Sequence, residues 1–210
     1  MFWRRKKLDY QILIPPLEKP FNLLRKAEAQ DYFNWYMGKL DERVAYLKSV
    51  STLDLDYSPS SLVPLWSWFL KNAEIEPTPQ KQLESYDEQL RALKSPFRDL
   101  FIADHTTQLS LETEYMIMDI AMYFGQVFVY NYPSIFWGFY TSPKSDAFVN
   151  QPVLMGFPNQ VCPEKKGIPL GVHHVVRMRA LRLLNHDALA GDLLSIYQVW
   201  ADKMVEFPLT

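Results

Sequence analysis

The chain has 210 residues, of which 48% are hydrophobic, 22% charged and 15% aromatic. That length fits one ordinary domain that buries about two-thirds of its unfolded surface, so folding requires neither a disulfide nor a metal. The average apolar fraction and the net charge of -2 exclude a disordered chain, and the irregular composition excludes collagen-like, coiled-coil and repeat architectures.

Charge is unevenly placed. Arg4, Arg5, Lys6 and Lys7 lie in the first seven positions, and from residue 8 onward 18 basic residues face 24 acidic ones. An acidic body argues against broad binding to a phosphate backbone, which needs clustered cations. It suits a basic protein partner, because complementary charge steers encounter. Cys162 is the single cysteine, so no intramolecular disulfide forms, and the expected compartment is the cytoplasm. The N-terminus has no continuous apolar stretch and no small-residue cleavage site, so it does not read as a secretion signal. Phe2, Trp3 and the four cations form a basic end, with a weak surface tether to a membrane as the lesser reading. The most apolar stretch, Tyr115 to Tyr130, is 16 residues long and contains Asp119. A membrane span needs about 20 apolar residues, so none is expected.

Residues 1–19 read as an extended arm broken by Pro15 and Pro16. A helical part follows over 20–95. Phe33, Met37, Leu40, Val44 and Leu47 fall on one helical stripe. Ser51 to Pro59 is a loop. Leu62, Leu65, Trp66, Phe69 and Leu70 make the apolar face of a second helix. Pro77 and Pro79 break the chain before a third helix with Leu83, Tyr86, Leu90 and Leu93 inward, ended by Pro96. Phe97 to Gln108 is irregular.

Ser110 is a good cap for the strongest helix, with Glu112 and Glu114 in its first turn, where the dipole favours acids. Past Gly125 the period changes. Val127 to Tyr130 is β-prone, Ile135 to Tyr140 reads as a strand, and Ala147 to Phe157 as its return, giving a hairpin over about 127–157. Helices resume over 171–206, one from Val172 to Leu184 and one with Leu189, Leu193, Ile196, Trp200 and Met204 on a stripe. No βαβ rhythm is present. The expected fold is one mostly helical α+β domain with a small antiparallel sheet between N-terminal and C-terminal helices.

No phosphate-binding glycine loop, nucleophile elbow, HExxH or CxxC motif occurs. His105, His173, His174 and His186 make no ligand pattern, since neighbours on a helix diverge by about 100°, and no metal or cofactor is expected. Cys162 precedes Pro163 with no adjacent base signature. Asp119 lies between Met118 and Ile120 in an apolar helix. A buried carboxylate needs a partner, so Asp119 is expected either on an exposed polar face of its helix or in an ion pair with an arginine of the 177–182 helix. The enzymatic alternative is a hydrolase of unknown class using Asp119 with Glu114 or His105. Arg177, Arg179 and Arg182 form a basic cluster that reads as solvated helix charge with internal ion pairs, and less readily as an RNA contact.

The density of aromatic residues is the remaining signal. Tyr32, Phe33, Trp35 and Tyr36 cannot all face one stripe, Trp66 and Trp68 point about 200° apart, and Trp137, Phe139 and Tyr140 populate both faces of a strand. Rings left at a surface make interface anchors. Tyr36, Trp68, Trp137 and Tyr140 are the candidate partner-binding residues, and no catalytic residue is assigned.

Three segments carry a resemblance: Ala29 to Met37; Leu55 to Leu62 followed by Leu65 to Phe69; and Asp119 to Val127 followed by Trp137 and Gly138. Together they resemble a group of small uncharacterised bacterial proteins, similar in architecture to immunity proteins of polymorphic-toxin systems. The resemblance spans most of residues 20–200, and Gln126 stands where that pattern has Glu. It implies a cytosolic, non-enzymatic protein that binds another protein, specifically a neutraliser covering the basic site of a toxin domain. It assigns no functional residue.

Overall fold

The computed structural model describes residues 8–92, 106–158 and 167–205. Among them are six α-helices and two small antiparallel sheets: α1 Lys26–Ser51, α2 Leu62–Asn72, β1 Ile75–Pro77, α3 Gln80–Ala92, β2 Thr107–Leu109, α4 Leu111–Asn131, β3 Phe136–Gly138, β4 Val153–Met155, α5 Val172–Ala180 and α6 Asp192–Val205. The fold is mostly helical α+β. Short 3-10 turns precede α1 and α2 and follow α5.

α4 is the axis. Ser110 caps it, its hydroxyl accepting from the Thr113 backbone N–H at 3.2 Å. From Met116 to Gly125 every residue is buried, so the helix is covered on all sides. α1 and α5 pack along it, and α2 reaches it while also contacting α6. Trp66 and Phe69 of α2 and Ile117, Phe124 and Phe128 of α4 itself are fully buried, each burial contributing roughly 1.5–3 kcal/mol.

Sequence periodicity misplaces three features. First, the β-prone run Val127 to Tyr130 is helical, because α4 continues to Asn131. Val127 and Phe128 are fully buried there, and packing overrides their strand preference. Second, the hairpin is shorter than expected. Three residues pair on each side, Phe136 opposite Met155 and Gly138 opposite Val153, while 139–152 forms turns. Third, β1 and β2 pair Ile75 with Leu109 and Pro77 with Thr107, a contact across 30 to 34 positions with no local signal. The expected irregular segment Phe97 to Gln108 and the Pro96 stop lie largely outside the described residues.

The α1 stripe is rotated from the one expected. Tyr32, Tyr36, Leu40, Arg43, Val44 and Leu47 are buried, and Phe33 and Met37 are half-buried. α1 starts where the Arg25 backbone N–H donates to Glu28 at 2.7 Å, and Lys19 and the Arg25 side chain donate to the same carboxylate. These bonds, led by that of the Arg25 side chain, lower the Glu28 pKa to about 2. The expected helix Val172 to Leu184 ends at Ala180 and tightens into a 3-10 turn over Leu181–Asn185. On α6, Leu193 and Tyr197 are buried, and Leu189 is exposed ahead of the helix. No helix among the described residues is long and apolar enough to cross a membrane.

β3 meets α4 at Gly125. A Cβ there would run into the six-membered ring of Trp137, so glycine is what allows the indole to lie on the helix backbone. Trp137 Nε1–H donates to Gln126 Oε1 at 3.1 Å, which fixes the ring. Gly125→Ala is expected to destabilise the protein by about 1–3 kcal/mol and to shift the tryptophan emission. Urea unfolding followed by fluorescence measures both.

Candidate functional site

Asp119 is fully buried, and both its oxygens are occupied. Arg43 on α1 donates through Nε to Oδ1 at 2.9 Å and through Nη2 to Oδ2 at 2.6 Å, and the Tyr10 hydroxyl donates to Oδ2 at 2.5 Å. Arg43 is itself 1% exposed. Its Nη2 also donates to the Gln11 carbonyl at 2.8 Å, and its guanidinium lies 4.5 Å from the Tyr46 ring centroid. The Tyr46 hydroxyl in turn accepts from the Gln11 N–H at 2.6 Å. One carboxylate thus ties α4, α1 and the N-terminal arm together. Burial raises the Asp119 pKa, opposed by the bonds from Arg43 and Tyr10. Burial and the adjacent carboxylate push the Tyr10 phenol far up, so it stays a donor.

The expected partner from the 177–182 helix is therefore corrected to Arg43. Arg177 pairs with Glu114 through Nη2 at 2.8 Å, and Arg182 pairs with Asp192 at 2.6 Å and Asp187 at 3.3 Å. Among the described residues Asp119 lines none of the main surface clefts, and its side chain has no exposed surface. Glu114 is occupied by Arg177, and His105 lies outside the described residues. The geometry gives the hydrolase alternative no reactive centre at Asp119.

A cleft of about 550 Å³ lies between α3, the β1–β2 ribbon, the start of α4 and the turn after α5. Glu76 there accepts from the neutral Gln108 amide at 2.9 Å, and Glu114 pairs with Arg177. On α5, burial lowers the His173 pKa and so favours its neutral ring, opposed by the nearby Glu114 carboxylate. His174 is exposed and lies edge-on to Phe148. Among the described residues no three His, Cys, Asp or Glu side chains are grouped so as to hold a metal ion. Cys162 and the basic N-terminus lie outside the described residues.

The four rings proposed as partner contacts do not form one exposed patch. Tyr36 is 4% exposed, with its ring 5.4 Å from that of Trp137. Trp137 is half-buried on α4. Trp68 is half-buried, 6.5 Å from the Tyr10 ring. Tyr140 is half-buried and donates to Asp146 at 2.5 Å, bracing the 140–150 turn. Periodicity places Tyr36 off the expected stripe, but the rotation of α1 that seats Arg43 carries Tyr36 inward.

A different set of rings reaches the surface. Tyr123 and Tyr130 are seven residues apart on α4, about 10.5 Å along one face. The Tyr57 ring fills that gap, 5.4 Å from Tyr123 at 25° and 5.6 Å from Tyr130 at 27°. Tyr123 is fully buried and Tyr130 is 72% exposed, so the three rings run from core to solvent. The ladder is held at several points. The Tyr123 hydroxyl accepts from the Tyr57 N–H at 3.0 Å and lies 2.6 Å from Ser61 Oγ, while Asn131 Nδ2 donates to the Tyr57 carbonyl at 2.8 Å. Tyr57 has φ 63°, a left-handed conformation that such a residue keeps only when its surroundings impose it. Asp54 and Asp56, both exposed, flank it on the same loop. The Ser58 hydroxyl and backbone N–H hold the Asp56 pKa below its ordinary value. The Lys48–Asp54 pair, at 3.5 Å, is solvent-exposed.

Sequence reasoning misses this face because it breaks α4 at Gly125. Once the helix continues, the seven-residue spacing of Tyr123 and Tyr130 is the available signal. No family model matches the chain, and no curated protein or solved structure is significantly similar to it.

Two substitutions test these assignments. Asp119→Ala leaves Arg43 buried without its carboxylate and is expected to cost about 3–5 kcal/mol. Replacing the pair with apolar residues, Arg43→Met with Asp119→Leu, recovers most of that loss, as read by chemical denaturation. Tyr123→Phe removes the hydroxyl that accepts from Tyr57 and is expected to cost about 1–3 kcal/mol, with increased mobility of Tyr57 in NMR relaxation.

Proposed function

We propose that this chain is a cytosolic, non-enzymatic protein that binds another protein, of the type that neutralises a bacterial toxin domain by covering its basic site. The observation that supports this reading best is Tyr130, a ring 72% exposed yet supported through Tyr57 by the buried Tyr123. A large ring held rigid at the surface loses little conformational entropy on binding, which is what an interface anchor needs. The exposed Asp54 and Asp56 on the loop that carries Tyr57, and the acidic body of the chain, favour a cationic partner. Asp119, the carboxylate with the strongest claim to catalysis, is committed to joining helices.

The mechanism is occlusion, so neutralisation is stoichiometric. Co-expression with a toxin encoded beside its gene is expected to restore growth. Titration of the purified toxin is expected to end at one chain per toxin, with an equimolar complex in size-exclusion chromatography with light scattering. Protection by a small substoichiometric amount would indicate turnover and overturn the proposal, as would protection without a complex.

A further inference from the structure

We propose that the cleft between α3, the β1–β2 ribbon and the turn after α5 receives a lysine side chain of a basic protein partner, an inference that rests on the protein-binding reading above. The ribbon dictates which side chains face the cleft. Successive residues of a strand point to opposite faces, and Glu76 stands opposite Gln108 in the register. Glu76, Gln108 and, two residues on, Thr78 therefore share one face, and all three line the cleft. Its volume of about 550 Å³ lies within the roughly 300–1,000 Å³ of sites that hold a ligand.

Two of these groups are left unsatisfied by the fold. Thr78 is 7% exposed. Its backbone N–H donates to the Thr106 carbonyl at 2.9 Å, while its hydroxyl bonds nothing among the described residues. A buried hydroxyl without a partner is unfavourable, and a donor entering the cleft relieves it. Glu76 is half-buried, accepts from the neutral Gln108 amide through one oxygen, and pairs with no cation among the described residues. Arg177 is the cation among the described lining residues, and Glu114 already engages it through Nε at 3.0 Å and Nη2 at 2.8 Å. The unmatched charge of the cleft is therefore negative. An ammonium, which only donates, suits the Glu76 carboxylate, the Gln108 side-chain carbonyl and the Thr78 hydroxyl. Leu111, Leu181 and Leu184 give its aliphatic stem an apolar wall. A guanidinium fits less well, because its fork seeks both oxygens of one carboxylate and Gln108 already holds one of them. An anion would meet the Glu76 charge unopposed.

The probe is Nα-acetyl-lysine amide, with the corresponding norleucine, arginine and glutamate amides as controls, titrated into the isotopically labelled full chain and followed by NMR. The expected result is shift changes confined to residues 76–86, 107–114 and 177–185, with lysine bound roughly ten-fold more tightly than norleucine. The binding weakens as salt is raised. Glu76→Gln keeps an acceptor for Gln108 but removes the charge, and weakens lysine binding by roughly ten-fold. Thr78→Val keeps the shape without the hydroxyl and weakens it by roughly three-fold. The same variant keeps or raises the wild-type melting temperature, because the hydroxyl it removes had no partner. Absence of lysine binding, norleucine, arginine or glutamate bound as tightly as lysine, or shifts elsewhere would each overturn the lysine site, and none of these comparisons needs a variant. Indifference to Glu76→Gln in a folded protein, or a lowered melting temperature of Thr78→Val, would overturn it as well. The toxin titration separates the two proposals. Unchanged affinity of the Glu76→Gln, Thr78→Val protein for the toxin would remove this cleft from the interface and leave the protein-binding reading standing. Wild-type failure to bind or neutralise the toxin would remove that reading itself.

Discussion

The ion pair between Arg43 and Asp119 is the constraint from which much of the arrangement follows. A charge at the centre of a helical core is costly unless it is matched, and here the match comes from an arginine 76 residues away and a phenol 109 residues away. To meet Asp119, α1 must lie against α4 with Arg43 facing inward, and that rotation brings Tyr36 into the core with it. The N-terminal arm must cross α1 so that Tyr10 reaches the second oxygen and the Gln11 carbonyl takes the remaining guanidinium hydrogen. An all-apolar core of the same volume can pack as stably, but it leaves the relative rotation of two helices less determined. Polar partners with fixed directions choose one register among several that hydrophobic burial would tolerate.

The same helix organises the far end of the molecule by different means. Beyond Gly125, α4 carries Trp137 against its backbone on one side and the tyrosine ladder on another. Both depend on α4 staying regular. Had the chain turned to strand at Val127, Tyr130 would not stand two turns above Tyr123, and Tyr57 would have no slot to enter. The left-handed backbone at Tyr57 is the local cost of placing the ring there. It is offset by the stack on both sides and by hydrogen bonds from its N–H to Tyr123 and to its carbonyl from Asn131.

These two features divide the roles of the charged and aromatic residues. The carboxylate that looks most unusual in sequence is structural, because both its oxygens are used and no solvent path reaches them. The aromatic residues that look most like loose surface rings, Tyr36 and Trp137, are packing elements. Among the described residues the exposed ring with the most support beneath it is Tyr130, stacked on Tyr57.

Much of the secondary structure was legible locally. The α2 stripe of Leu62, Leu65, Trp66 and Phe69 follows from spacing alone, as do the Ser110 cap and the α+β class. The β1–β2 pairing was not legible, because three-residue strands this far apart in sequence carry no periodic pattern. The extension of α4 was hidden because Val127, Phe128 and Val129 prefer strands in isolation, and only burial between neighbouring helices reverses that preference. Sequence by itself determined the helical framework, the acidic balance and the need for Asp119 to find a partner. Tertiary structure alone decided which arginine that partner is and which rings reach solvent. Both depend on the rotation of one helix about another, and local spacing says which residues share a face without saying what that face meets.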